Sequence, residues 1–203
     1  MKKYRWYISW AIVVVALALI VVGRVAAQST PQPRVAYRLS YAWAFHPHTL
    51  QEARDQTQLI VLATVVTVDR GEDIVVPVKG LPPNNEDRMP TQRITVQIAK
   101  VYRGQATVGQ TISLYQTGGT TDDKHLVSAF SEDDPPYQPG ERYVLLLTPG
   151  PQNSLRIISP EGRYRITPDN IVVPMAVADP NNPVVRDLRG QPLAEMERQL
   201  SLP

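Results

Sequence analysis

Apolar residues follow three rhythms along this chain. From Trp6 to Val22 the run is continuous, with Ser9 its one polar interruption; Met1-Lys2-Lys3-Tyr4-Arg5 precede it and Gly23-Arg24-Val25-Ala26-Ala27 follow. Charge, apolar core and small residues in that order make an export signal. From Val35 to Phe45 the rhythm becomes strict alternation: Val35, Tyr37, Leu39, Tyr41, Trp43 and Phe45 share one parity. In an extended strand they share one face. Beyond Phe45, apolar residues come in short runs punctuated by glycine and proline, the pattern of many short strands.

Those runs predict the elements. Thr49-Leu50-Gln51-Glu52 has the spacing of a capping box, so a short helix starts at Thr49 and reaches Asp55 or Gln56. Leu59 to Val68 is apolar at both parities and rich in β-branched residues, as in a strand covered on both faces. Asp73 to Val78 reads as a second strand and Gly80 to Pro90 as loop. Arg93 to Arg103 alternates through Ile94, Val96 and Ile98, then slips to Val101, which predicts a β-bulge near Ala99-Lys100. Thr111 to Gln116 and Arg142 to Thr148 are further strands, with a polar, acidic loop from Thr120 to Gln138 between them. Ser154 to Ile158, Arg163 to Thr167 and Ile171 to Val173 complete the set, and Pro192 opens a last helix with Leu193, Met196 and Leu200 on one side. The expected fold is mainly β: an antiparallel barrel with a short helix before its first core strand and another at its end.

The carrying segments Gln58 to Val68, Ile94 to Gly104 (ITVQIAKVYRG) and Val108-Gly109-Gln110-Thr111 with the strand after it resemble the netrin-like module, the oligonucleotide-binding-type barrel known from tissue inhibitors of metalloproteinases. The resemblance runs from His48 to Gly119. It implies a barrel of that type and an exported setting. In the animal inhibitors an amino-terminal cysteine chelates the protease zinc; this chain has no cysteine, so inhibition does not carry over.

Residues 1–27 are thus expected to be a signal peptide or a retained anchor, 28–45 a proline-containing spacer and aromatic arm, and 46–203 the barrel domain. Counted from Trp6 to Ala27, the first segment reaches the ~20 residues a spanning helix needs, which favours retention. Lys2, Lys3 and Arg5 then hold the amino end inside and send the rest out. The segment also changes the charge balance. It holds four basic residues and no acidic one, leaving 17 basic against 19 acidic residues, a formal −2, in the exported part. The electrostatic footprint of nucleic-acid binding is therefore absent. Without cysteine, thiol chemistry and cysteine-ligated metal are excluded, and the fold must rest on its core.

Candidate chemistry is sparse. There is no Gly-x-Ser-x-Gly elbow, phosphate-binding glycine loop or His-Glu-x-x-His, so the expected activity is binding rather than catalysis, without a cofactor. The candidate ligand surface is the aromatic arm with Tyr37, Tyr41, Trp43 and Phe45, together with Gly118 and Gly119 after a strand. Exposed, the arm could stack on sugars, a partner or the membrane interface; the plainer reading packs it over the barrel. The expected partner is an envelope protein or polysaccharide. The competing class is a metal-binding protein or metal-dependent hydrolase using His46, His48 and His125, since residues two apart in extended chain share a face; two loop histidines around a turn proline is the plainer account. Asp122, Asp123, Glu132, Asp133 and Asp134 could offer oxygens to calcium, but lack the spaced ligand order and read as a solvated loop. Glu141 and Glu161 flank turns, with nothing to pair them as acid and base.

Overall fold

The computed structural model describes residues 34–38, 43–77, 86–120, 127–131, 133–151, 153–175, 179 and 181–201. The expected export segment, the spacer, Tyr41, Asp122, Asp123, His125 and Glu132 lie outside these residues. Among the described residues twelve strands, three short helices and a 3-10 turn follow in order: β1 (Arg34–Arg38), α1 (Leu50–Asp55), β2 (Leu59–Arg70), β3 (Ile74–Pro77), β4 (Glu86–Met89), β5 (Thr91–Arg103), β6 (Thr111–Thr117), β7 (Gly119–Thr120), β8 (Val127–Phe130), β9 (Arg142–Pro149), β10 (Leu155–Ile157), the turn Pro160–Gly162, β11 (Arg163–Ile166), β12 (Val172–Pro174), α2 (Pro183–Leu188) and α3 (Leu193–Leu200). Among the described residues no helix is long and apolar enough to cross a membrane.

The main sheet runs β10-β6-β5-β2-β9-β11-β12, and β10 also pairs with β9. That second pairing closes β2, β5, β6, β10 and β9 into a five-stranded barrel, an arrangement compatible with an oligonucleotide-binding-type barrel. The expectation of a purely antiparallel barrel is corrected by the pairing of β10 with β6, which is parallel. The reason is topological: strands that alternate in direction cannot do so all the way round a ring with an odd number of members. β1 and β8 are a second parallel pair, in a separate three-stranded sheet with β7.

The strand from Leu59 is covered on both faces, as its unbroken apolar run requires. Leu59, Val61, Ala63 and Val65 point into the barrel with Ile94, Val96, Ile98, Leu145 and Leu147. Ile60 and Leu62 point the other way, joining Val144, Leu146, Tyr164 and the helical residues Ala53, Val184, Leu188, Leu193, Met196 and Leu200. Each fully buried Leu or Ile contributes about 1.5–3 kcal/mol of hydrophobic stabilisation, and two stacked layers replace the disulfides the chain lacks.

Local signals explain the boundaries. The Thr49 hydroxyl accepts the Glu52 N–H at 3.0 Å, and Glu52 reaches back to accept the His48 N–H at 2.9 Å. This is the expected box, closed one residue earlier than the ideal. The pairing of β2 with β5 skips Ala99, between the partners Ile98 and Lys100, so the bulge lies where the slip in alternation put it; Tyr102 and Val66 are skipped as well. Gly104 ends β5 at φ +90°, and a Cβ there would sit 2.4 Å from the Gln58 carbonyl oxygen. Only glycine fits this approach.

Four elements depart from the expectation, the first being the two-residue strand β7 at Gly119–Thr120, where the sequence reads as turn and loop. Glu86–Met89 pairs with β3 as a hairpin although its residues are mostly charged; ladder bonds need only backbone, so composition misses such a strand. Val127–Phe130 lies inside the stretch read as loop and pairs with both β1 and β7. α2 begins at Asn182, whose Oδ1 accepts the Val184 N–H at 2.9 Å, with Pro183 in the first turn.

Candidate functional site

Among the described residues of the arm, Arg34–Arg38 forms a strand, where Tyr37 is in register with Ala129. Trp43, Ala44 and Phe45 are outside any strand. Trp43 and Phe45 are half-buried while Ala44 between them is exposed, so the alternation persists without the ladder. Trp43 packs against the barrel-interior cluster, and its indole Nε1 is buried with no hydrogen-bond partner among the described residues. The arm is pinned at two further points. His46 Nδ1 lies 3.0 Å from Glu161 Oε1, and the Pro47 carbonyl accepts from Asn182 Nδ2 at 2.9 Å.

A cleft of about 700 Å³ opens beside the arm, lined among others by Trp43, Phe45, Tyr115, Thr148, Arg156 and Ile157. A second cavity of about 390 Å³ lies on β5 and β6, with Gln92, Arg93, Thr95, Ser113, Tyr115 and Ser154 in its wall. Tyr115 belongs to both, so the two adjoin. Register builds the smaller one: Arg93 stands opposite Tyr115 and Thr95 opposite Ser113, while Ile94 and Leu114 between them face inward. Gln92 Oε1 and Ser113 Oγ are buried without a hydrogen-bond partner among the described residues. Arg93 and Arg156 have no hydrogen-bond or ion-pair partner among the described residues. Burial raises the Tyr115 phenol pKa, opposed by a hydrogen bond with Thr91. Both volumes fall in the ~300–1,000 Å³ range of ligand sites.

Gly118 and Gly119 line neither cavity. They turn the chain behind the site at φ +106° and +142°. The Gly118 N–H donates to the Pro90 carbonyl at 2.7 Å, and a Cβ on Gly119 would meet Gln92 Cγ at 3.2 Å. Their closeness is to the side chains that form the cavity wall.

Two charged constellations escaped the sequence. Glu161, read as flanking a turn, is 3% exposed and faces the half-exposed His46. Its Oε2 and the Tyr164 hydroxyl are both buried without a partner among the described residues; burial first, and Glu161's charge second, push the Tyr164 phenol pKa up. His48 is exposed. Among the described residues no group of three or more His, Cys, Asp or Glu is placed to hold a metal. The second constellation is Arg163, 1% exposed. Its guanidinium lies 2.9 Å from Asp134 Oδ1 and donates to the Pro135 carbonyl, to the Pro136 carbonyl at 3.4 Å and to the Tyr143 hydroxyl at 3.1 Å. The rings of Tyr137 and Tyr143 pack over it, centroids 3.4 and 4.6 Å from Cζ. Asp134 therefore does not belong to a solvated acidic loop: burial raises its pKa, and the guanidinium works against that rise. Gln116 Nε2 also donates to the Asp134 and Pro135 carbonyls, both at 3.0 Å. The knot fixes one wall of the larger cleft.

Comparison with protein-family models, with curated proteins and with solved structures found no match.

Proposed function

We propose that this chain is an exported, membrane-tethered and non-catalytic binding module of netrin-like type, holding a protein or polysaccharide of the cell envelope in the adjoining cavities. The observation that carries the reading is the pair of cavities meeting at Tyr115, lined by aromatic rings and by the polar side chains of Arg93, Thr95, Ser113 and Arg156. Concave sites with a few convergent polar groups on a mostly rigid scaffold are where ligands bind. The barrel supports it, since barrels of this architecture bind chain ligands on a strand face between loops. The export reading rests on Lys2 to Ala27, and the netrin-like one on the strand sequences around Gln58 and Ile94.

Co-sedimentation of the full chain with isolated cell-envelope material tests the binding. Wild-type protein is expected to pellet with the envelope and Tyr115→Ala to stay in the supernatant at an unchanged melting temperature. Indifference to that substitution, or no pelleting of the wild type, overturns the site. Fractionation of cells with amino-terminal sequencing tests the tether, which requires an uncleaved chain in the membrane fraction.

One observation favours the competing metal reading. His46 Nδ1 against a buried carboxylate fixes the ring with Nε2 outward, the arrangement that commonly supports a metal-ligating histidine. Titration with Zn²⁺ decides it: binding lost equally in His46→Ala and His48→Ala supports a metal site, and no heat of binding ends it.

A further inference from the structure

We infer that the groove takes an acidic polysaccharide, its carboxylates held by Arg93 and Arg156 and its sugar rings set against Tyr115 and the arm. This rests on the binding reading above and names its ligand.

Three features converge. The first is the chemistry of the wall. Thr95, Ser113 and Tyr115 share one face of β5 and β6 with Arg93 in the smaller cavity, and their hydroxyls both donate and accept hydrogen bonds. A ligand rich in hydroxyls matches such a wall, whereas a phosphate chain offers acceptors alone.

The second is charge. One arginine lines each cavity, Arg93 in the smaller and Arg156 in the larger, and neither has a partner among the described residues. The carboxylate that lines the larger cleft, Asp134, is already engaged by Arg163. In an exported part of formal −2, the groove is thus locally positive, and a guanidinium binds a planar carboxylate through two parallel N–H bonds.

The third is shape and edge. The cavities adjoin at one ring, which suits a chain with a sugar in each and a stacked face at the junction. β6 is paired by β5 along one edge and by β10 at Leu114 alone on the other, so a peptide added as a strand is the competing occupant, and an acidic peptide belongs among the probes.

The test uses the full chain in neutral detergent, with calorimetric titration of four probes: oligogalacturonate, its methyl ester, hyaluronan fragments and poly-glutamate. At least one acidic sugar chain is expected to bind, the ester at least tenfold more weakly than its parent acid, and poly-glutamate not at all. Arg93→Gln and Arg156→Gln should each weaken the acidic sugar severalfold without moving the melting temperature, and Tyr115→Ala should weaken acid and ester alike. Ester bound as tightly as acid, poly-glutamate bound as tightly as sugar, or indifference to both arginine substitutions overturns the inference. If no acidic sugar binds while Tyr115-dependent envelope pelleting persists, the ligand class fails and the binding module stands. If neither occurs, both fail.

Discussion

Arg163 shows how much of this fold turns on single side chains that composition cannot rank. A guanidinium with 1% exposure is tolerable only because Asp134, two proline carbonyls and the Tyr143 hydroxyl surround it. Removing one partner of a buried ion pair costs about 3–5 kcal/mol, because the other charge stays behind. Arg163→Met should therefore lower the denaturation midpoint strongly, and adding Asp134→Asn should recover a substantial part; urea melts of the two variants check this, and equal midpoints for wild type and Arg163→Met would remove the knot from the account. At this scale the sequence was least legible. Asp134 sits in an acidic run and Glu161 beside a turn proline, and both look solvated until partners 29 and 115 positions away arrive. Trp43 and Phe45 were legible as a pair of half-buried rings, since alternating apolar residues imply one covered face whether or not a ladder forms.

Elements were read best where a periodic pattern and an end signal agree. The Thr49 box, the doubly covered run from Leu59, the slip at Ala99 and the helix after Pro192 all combine the two. Glu86–Met89 and Val127–Phe130 carry neither signal and owe their pairing to neighbours. The last helix is also tied down electrostatically. Glu197 accepts from the Tyr102 hydroxyl at 2.6 Å and meets Lys100 Nζ at 2.9 Å. Desolvation pushes the Glu197 pKa up, but the hydrogen bonds from Tyr102 and Lys100 outweigh it and the net shift is downward. A carboxylate depressed in the folded state stabilises it above the unfolded pKa and loses that contribution as pH falls through the folded value. Stability should thus decline on the acid side, below the ordinary carboxylate range, and Glu197→Gln should flatten that limb while leaving the slope near neutrality unchanged. Melting temperatures across the acid range would show it; parallel curves for the two proteins would count against the tie.

At the largest scale, the described residues form a small barrel with a second apolar layer of helices, and its least supported member is β10. Three residues close the ring, with three register pairs to β9 and one to β6. The smaller cavity touches both sides of that junction, at Leu114 and Ser154. Regions with few backbone bonds open at lower free energy than the core. Amides of Leu155–Ile157 should exchange with deuterium sooner than those of β2 and β9 and slow when a ligand fills the groove; uniform protection across the strands would refute this.

An odd ring of strands therefore does more than set one pair parallel. It leaves the closed cylinder with a zipper that is short and sits under the proposed binding surface, so occupancy there and closure would share one free energy. A molecule held there would work as a clasp, and the protein's resistance to unfolding would become a gauge of whether its groove is full.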